Sequence, residues 1–338
     1  MDKMDERDAM DAMDKHPEGF ENTAPVFRPE SKAELKAYLD SHPDGDLGGI
    51  DVSALEDFSD LFSGSERRNF SGIECWDTSR AVTMSGMFRN ARYFNEPIGS
   101  WRVSSVKDFS HMFFGAEIFN QPLGEWDISA AENLSCMFAW ASAFNQTLGN
   151  WKTNGVKNFA GMFEGAESFN QAVGEWDISG ADDLNAMFAE ASCFNQPLEK
   201  WNTSRVKNFS RMFDGAESFN QPLGKWDTSA AVDMSAMFSW AVDFNQDLSS
   251  WNTKGVKNFA RMFSGAESFN QPLATWDTSE AENMSEMFSG AQAFNQDLSS
   301  WKTASVRDFS WMFYGALSFH QRVDRWDTKG AGDKTQMF

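Results

Sequence analysis

The chain has 338 residues, and its 50 Asp and Glu residues outnumber its 29 Lys and Arg residues, which gives a formal charge of −21. This excess disfavours a nucleic-acid partner, because a protein has to neutralise phosphates to bind one, and it favours solubility and a basic partner. No apolar run approaches the roughly 18 residues of a membrane span, and the three cysteines, Cys75, Cys136 and Cys193, fit neither a disulfide framework nor a zinc pattern.

The N-terminal part of the chain precedes any repeat. Residues 1–24 are predicted to be a disordered acidic tail, and they lack the apolar stretch of a signal peptide, so the sequence leaves the compartment unknown. The segment Ser31–Ser41 has the pattern of an amphipathic helix, with Ser31 as N-cap and Glu34 three residues later. We expect residues 25–46 to be a capping helix that covers the open end of the first repeat.

The segment 47–338 repeats every 25 residues. Tryptophan marks this period eleven times without a slip, at positions 76, 101, 126, 151, 176, 201, 226, 251, 276, 301 and 326. A fixed period of this length predicts stacked units, each packed only on its neighbours. Counting the leading aliphatic residues gives about twelve coils.

Each unit changes its hydrophobic spacing halfway along. In the unit that begins at Leu123, Trp126 and Ile128 alternate with Asp127, as in a short strand. The apolar residues that follow have the spacing of a helix face: Leu134, Met137, Phe138, Ala141 and Phe144. The predicted fold class is therefore an α/β repeat solenoid, similar to a leucine-rich repeat, with a short strand and a short helix in every coil.

Stacking would align equivalent residues of successive coils into columns. An asparagine column runs from Asn95 to Asn295, and we expect its amides to satisfy backbone groups in neighbouring coils. Other columns alternate in charge, as in Lys107, Glu132 and Lys157, which makes the true unit look like 50 residues. A slip by one coil would then bring like charges together.

The repeat resembles a known family. The run MSGMFRNARYFNEPIGSWRVSSVKDFSHMF and its echoes are similar to the repeats of BspA-like leucine-rich-repeat surface proteins, over Leu47 to Phe338. The resemblance implies an adhesin or protein-binding surface molecule, at the cell surface or secreted. It supplies no catalytic residue, because the family is defined by its scaffold.

We find no constellation for catalysis in the sequence. His16, His42, His111 and His320 are scattered without ligand spacing to cysteines or carboxylates, so no metal site is expected. No glycine-rich phosphate motif and no nucleophile–base arrangement is present, so we expect neither a cofactor nor a catalytic site. The chain is predicted not to be an enzyme.

The predicted binding site is the outward strand face. Charged side chains on either side of each tryptophan should project from it, although a face that is merely solvated explains the same pattern. The residues are Arg102, Glu125, Asp127, Lys152, Glu175, Asp177, Lys225, Asp227 and Asp277. Trp140 and Trp240, which replace small residues of other repeats, are further candidate anchors.

Three functions compete at this point. The first is a non-enzymatic scaffold that binds an unidentified protein through the strand face. The second is a structural or self-assembling protein whose C-terminal coil associates end to end with another copy. The third is binding to ice or to a crystal surface, suggested by a threonine column that includes Thr153, Thr203 and Thr253.

Overall fold

The computed structural model describes residues 27–338. Helix α1, Lys32–Ser41, is confirmed, and the Ser31 hydroxyl accepts a hydrogen bond from the Glu34 N–H at 3.2 Å. Its Leu35 and Leu39 are buried, so α1 covers the first coil with an apolar face. The predicted tail over 1–24 lies outside the described residues, and the predicted domain boundaries stay predictions.

The 25-residue units stack in parallel. In nearly every coil one residue forms a parallel β-bridge to its equivalent in the next, as Asp108 does with Asn133 and Asn133 with Asn158. Neighbouring residues add backbone hydrogen bonds between coils, such as Leu134 N–H to the Asn158 carbonyl at 3.0 Å. These bonds fix the register of the stack at 25 residues.

The predicted fold class is wrong. The described part of the chain has one α-helix, α1, one 3₁₀ turn, Ile73–Cys75, and isolated bridges in place of strands. No strand forms at Trp126–Ile128, because the bridge between coils lies seven residues later, at Asn133. An α/β solenoid with one strand and one helix per coil therefore does not describe this molecule.

The predicted helix of each coil is a series of tight turns. Met137 N–H donates to the Leu134 carbonyl within its coil at 3.1 Å, whereas Phe138 N–H donates to Met162 of the next coil at 2.9 Å. Cys136 and Trp140 have φ values of 53° and 60°, which lie outside the right-handed helical region. The alternation of bonds within and between coils excludes the continuous i→i−4 ladder of an α-helix.

The interior is a continuous stack of aromatic rings. All eleven periodic tryptophans are buried, as predicted, and the Trp126 indole N–H donates to the Ile98 carbonyl of the preceding coil at 3.1 Å. Beside them, Phe138 stacks on Phe144 at 4.0 Å and on Phe163 of the next coil at 5.7 Å. Because every indole N–H has a backbone acceptor, these large rings are buried without losing a hydrogen bond.

The asparagine column forms the predicted ladder. The Asn120 side-chain oxygen accepts hydrogen bonds from Asn145 N–H and from the Gln146 amide, each at 3.0 Å. The same contacts recur along the stack and end where His320 N–H donates to Asn295. The amides are half-buried and serve the backbone of the following coil.

A buried arginine connects the segment after α1 to the first coil. The Arg67 guanidinium is 6% exposed and donates to the carbonyls of His42, Gly45 and Asn69. Burial lowers the pKa of Arg67, and the nearby Asp44 opposes this shift. Sequence analysis missed this residue, although its coil is one residue longer than the others.

Candidate functional site

The nine charged residues of the predicted binding face occupy the 3rd and 5th positions of six coils, on either side of the buried tryptophan. We name this set, from Arg102 to Asp277, the outer row: Arg102, Glu125, Asp127, Lys152, Glu175, Asp177, Lys225, Asp227 and Asp277. All are exposed except Asp277, which is half-buried. Since the coils are in register, the structure brings these residues together on one surface, even though no strand underlies it.

The aspartates of the outer row have a structural role as well. The Asp127 carboxylate accepts a hydrogen bond from Ser129 N–H at 3.1 Å. Asp177, Asp227 and Asp277 each accept the same kind of bond from the N–H of the serine two residues later in the chain, at 2.9–3.1 Å. Hydrogen bonds from the serine hydroxyl and from the serine N–H lower the pKa of each carboxyl group. Asn202 makes the equivalent bond to Ser204 in its own coil, so the turn needs the oxygen and not the charge.

Ion pairs neutralise part of the outer row. Lys225 contacts Glu199 at 3.3 Å, Asp277 contacts Lys302 at 3.3 Å, and Glu175 pairs with Lys200. Most of these side chains are largely exposed, and pairs of this kind contribute about 0–1 kcal/mol each. The row is therefore a surface of mixed charge that can exchange internal partners for external ones at little cost.

Trp140 and Trp240 lie on a different surface. We name it the turn face and define it by the 14th, 17th and 18th residues of each coil, which are Cys136, Ala139 and Trp140 in the coil from Leu123. The turn face lies on the tight turns, half a coil away in sequence from the outer row. The structure therefore does not bring the two tryptophans together with the charged residues.

The turn-face tryptophans cover glycines of the following coil. Trp140 and Trp240 have positive φ values of 60° and 54°, in a region that favours glycine. A Cβ atom added to Gly165 would lie 2.5 Å from the Trp140 ring, and one added to Gly265 would lie 2.7 Å from the Trp240 ring. The rings nevertheless remain 45% and 59% exposed.

Other large residues also distinguish the turn face. Trp311 and Tyr314 are 37% and 52% exposed, and their rings meet edge to face at 4.9 Å. Arg211 bridges Glu164 at 3.4 Å and Asp214 at 3.0 Å. The turn face can be recognised in the sequence because its residues change from coil to coil, whereas interior positions such as the periodic tryptophan stay the same.

Neither surface has the composition of a metal site. Within residues 27–338, no group of three or more His, Cys, Asp or Glu side chains is placed to hold a metal ion. Cys75, Cys136 and Cys193 are free thiols, and burial raises the pKa of Cys75 and Cys136. The described helix is too short and too polar to cross a membrane.

Burial removes the surface that ice binding would require. Thr153, Thr203 and Thr253 are each 1% exposed, and the Thr153 hydroxyl donates to the Asp177 carbonyl at 3.0 Å. A column whose hydroxyls are used between coils offers no regular array to a crystal lattice.

Comparison with known proteins connects the repeats to one family. Four overlapping stretches, residues 39–149, 134–251, 161–274 and 240–338, match the family described as Mycoplasma protein of unknown function, DUF285. Together they cover residues 39–338. No curated protein and no solved structure matches the chain.

Proposed function

This chain belongs to the DUF285 family, and we propose that it is a non-enzymatic scaffold that binds a basic protein through the outer row. The observation that carries the proposal is the set of ionised, exposed carboxylates held at the same place in alternate coils. Asp127, Asp177 and Asp227 present one such group every second coil.

The charge of the whole chain supports a basic partner. At −21 it attracts cationic proteins over a distance and raises their rate of association, most strongly at low salt. A contact surface that spans several coils adds many weak pairs, each below about 1 kcal/mol, without requiring an enclosed pocket. The resemblance to BspA-like surface proteins favours an adhesive role, and a cell-surface or secreted location is part of the proposal.

Charge substitution on two faces tests the proposal. The test variant changes Asp127, Asp177, Asp227 and Asp277 to Asn, which keeps the oxygen that accepts the serine N–H. The control variant changes Glu117, Glu167, Glu217 and Glu267 to Gln; these exposed residues lie outside the outer row, two positions after the turn-face glycines. Both variants lose four negative charges, so they differ only in where the charge is lost.

The probe is a lysine-rich peptide, and its affinity for each full-length chain is measured by calorimetry at two salt concentrations. We expect binding about tenfold weaker in the aspartate variant and nearly unchanged in the control. Equal weakening in both variants would mean that net charge alone attracts the peptide, and the assignment of the outer row would then be wrong.

Self-association is the second candidate. Leu317 occupies the position of Glu217 and Glu267 in other coils and is 73% exposed, so the last full coil presents an apolar side chain to solvent. Sedimentation of the unmodified chain over a range of concentrations distinguishes this role, since an interaction scaffold of this design sediments as a monomer.

A further inference from the structure

The turn face contains a groove at the place where the alternation of residues along it is interrupted. Up to Gly265 the 18th residue alternates between glycine and a larger residue, namely Asn90, Trp140, Glu190 and Trp240. Gly290 then stands where the next large residue is due, so that Gly265, Gly290 and Gly315 follow one another. A Cβ atom added to Gly290 would have its nearest neighbour 3.5 Å away, which shows that no side chain covers it.

Gly290 and Gly315, which no side chain covers, form the floor of a groove of about 520 Å³ beside Gly265 and its covering Trp240 ring. Trp240 lies at one end of it and Tyr314 at the other. Their coils are three steps apart, which corresponds to roughly 14 Å at a spacing of about 4.8 Å per coil. The groove is thus long enough for a short chain of ring-shaped units, and its ends are two exposed aromatic rings.

A row of serines runs beside the glycines. Ser239, Ser264 and Ser289 occupy the 17th position in three successive coils, where other coils carry residues as different as Phe114 and Asp214. Ser239 and Ser264 are only 5% and 9% exposed, and Ser289 is half-buried. Their hydroxyls nevertheless form no hydrogen bond with other residues of the described chain, and none of their oxygens is sealed from solvent. These hydroxyls therefore have unused hydrogen-bonding capacity along the lining of the groove.

The groove is nearly neutral. Arg261 and Glu286 both line it, and they pair with each other at 2.7 Å. Glu267 is the one other charged residue in the lining, and it belongs to the general repeat, since Glu167 and Glu217 occupy the same position elsewhere. The features that are specific to the groove, which are aromatic rings, glycines and serines, carry no charge.

We propose that this groove binds a neutral oligosaccharide. The apolar face of a sugar ring packs against Trp240 or Tyr314, which are flat, exposed and amphipathic. The ring hydroxyls bind to the serine row and to the planar Arg261–Glu286 pair, which offers donors and acceptors side by side. The bare floor at Gly290 lets the ligand approach the backbone closely. This site is separate from the outer row and does not depend on it.

A cationic peptide is the competing ligand. It would place an Arg or Lys side chain over the Trp240 ring, where a cation–π contact is favourable. The Arg261 guanidinium in the lining opposes such a ligand, because it repels a second positive charge, and the Glu286 carboxylate already contacts Arg261 at 2.7 Å. The neutral ligand is therefore the better match.

The experiment uses cellotriose, maltotriose and tri-N-acetylchitotriose as probes, with the full chain as receptor. Saturation-transfer NMR detects binding, and calorimetry measures the affinity. We expect at least one sugar to bind, and Trp240→Ala to weaken it about tenfold. Gly290→Trp should abolish binding, because it fills the groove with a side chain that the repeat already accepts at this position in Trp140 and Trp240.

Trp140→Ala is the matched control, since it removes the same kind of ring from a part of the turn face outside this groove, and binding should persist. The proposal is overturned if no sugar binds, or if binding survives both groove variants. It is also overturned if an arginine-rich hexapeptide binds with the same dependence on Trp240 and Gly290 while the sugars do not. The outer-row aspartate variant should bind the sugars normally, so this result is independent of the proposed protein partner.

Discussion

The interior and the turn face follow different repeat rules. Inside the stack, tryptophan recurs eleven times at a spacing of 25 residues, and every one of these rings is buried. On the turn face, the 18th residue alternates over 50 residues between glycine and a larger side chain, and the alternation ends at Gly290. The same backbone therefore carries one strict column and one variable column.

The difference reflects the number of neighbours of each side chain. An interior ring is packed between equivalent rings above and below it, as Trp226 is between Trp201 and Trp251, so a change in one coil disturbs three. A turn-face ring such as Trp240 covers only the glycine that follows it. A substitution on the turn face therefore costs little folding stability. Positions where the repeat changes from coil to coil indicate surfaces on which binding specificity can arise.

The largest expected effect is a difference in stability between the alanine variants of two tryptophans, one in the interior and one on the turn face. Trp201→Ala removes a ring that is 3% exposed and leaves a cavity between the neighbouring rings, so we expect a loss of about 3–5 kcal/mol in the free energy of unfolding. The Val173 carbonyl loses the indole N–H but keeps the Trp176 N–H as a donor. Trp240→Ala removes a ring that is 59% exposed and should cost less than about 1 kcal/mol. Urea unfolding followed by circular dichroism measures both.

Stacked repeats can unfold in parts, so midpoints and slopes should be compared together. Similar losses in the two variants would contradict the distinction between a packed interior and a variable turn face.

An intermediate effect is expected from two glycines on the turn face. Both Gly165 and Gly290 have positive φ, so alanine at either position is strained by about 1 kcal/mol. Gly165→Ala should cost roughly 1–2 kcal/mol more than Gly290→Ala, because its Cβ would collide with the Trp140 ring. Thermal unfolding of both variants provides the comparison.

Combining Gly165→Ala with Trp140→Gly should remove the additional cost, since the colliding ring is then absent. If the double variant is no more stable than Gly165→Ala alone, Trp140 does not lie over Gly165 in solution.

The smallest expected effect is on the loss of stability at acidic pH. Hydrogen bonds from the serine hydroxyl and, second, from the serine N–H lower the folded-state pKa values of Asp127, Asp177, Asp227 and Asp277 below those of the unfolded chain. Their contribution to stability is therefore present above the ordinary aspartate pKa, and it is lost as the pH falls through the lowered folded-state values. The melting temperature should fall by less between pH 5 and pH 2 in the fourfold Asp→Asn variant than in the unmodified chain.

The Asn side chains keep the acceptor oxygen but do not titrate. The loss of stability that remains in the variant at low pH comes from its other acidic groups and serves as the internal control. Identical melting curves against pH for the two proteins would show that the serine bonds do not bias these carboxylates.

Columns of identical residues could be predicted because a stack forces equivalent residues into equivalent surroundings. Burial of all eleven tryptophans followed from the period alone, and so did the asparagine ladder. Helix α1 followed from Ser31, Glu34 and the apolar spacing of Leu35 and Leu39. The alignment of the outer row has the same cause, since register places Asp127 in one column with Asp177 whatever the local conformation, while the binding role of the row stays a prediction.

Local conformation could not be predicted in this way. Leu134, Met137 and Phe138 all face the core, as expected, but a spacing of three and four residues suits consecutive turns as well as an α-helix. The glycines at the 18th position, such as Gly165 and Gly215, were the signal in the sequence that favoured turns with positive φ.

The sequence by itself determined the 25-residue register, the buried aromatic columns and the exposed charged columns, because these depend only on which residues recur. Only the tertiary structure decided that isolated bridges and further backbone hydrogen bonds join the coils in place of strands, that Trp140 covers Gly165, and that a groove opens at Gly290. Hydrogen bonds between coils determine this local conformation, because they compete with helical bonds within a coil. They form only once the neighbouring coil is in place.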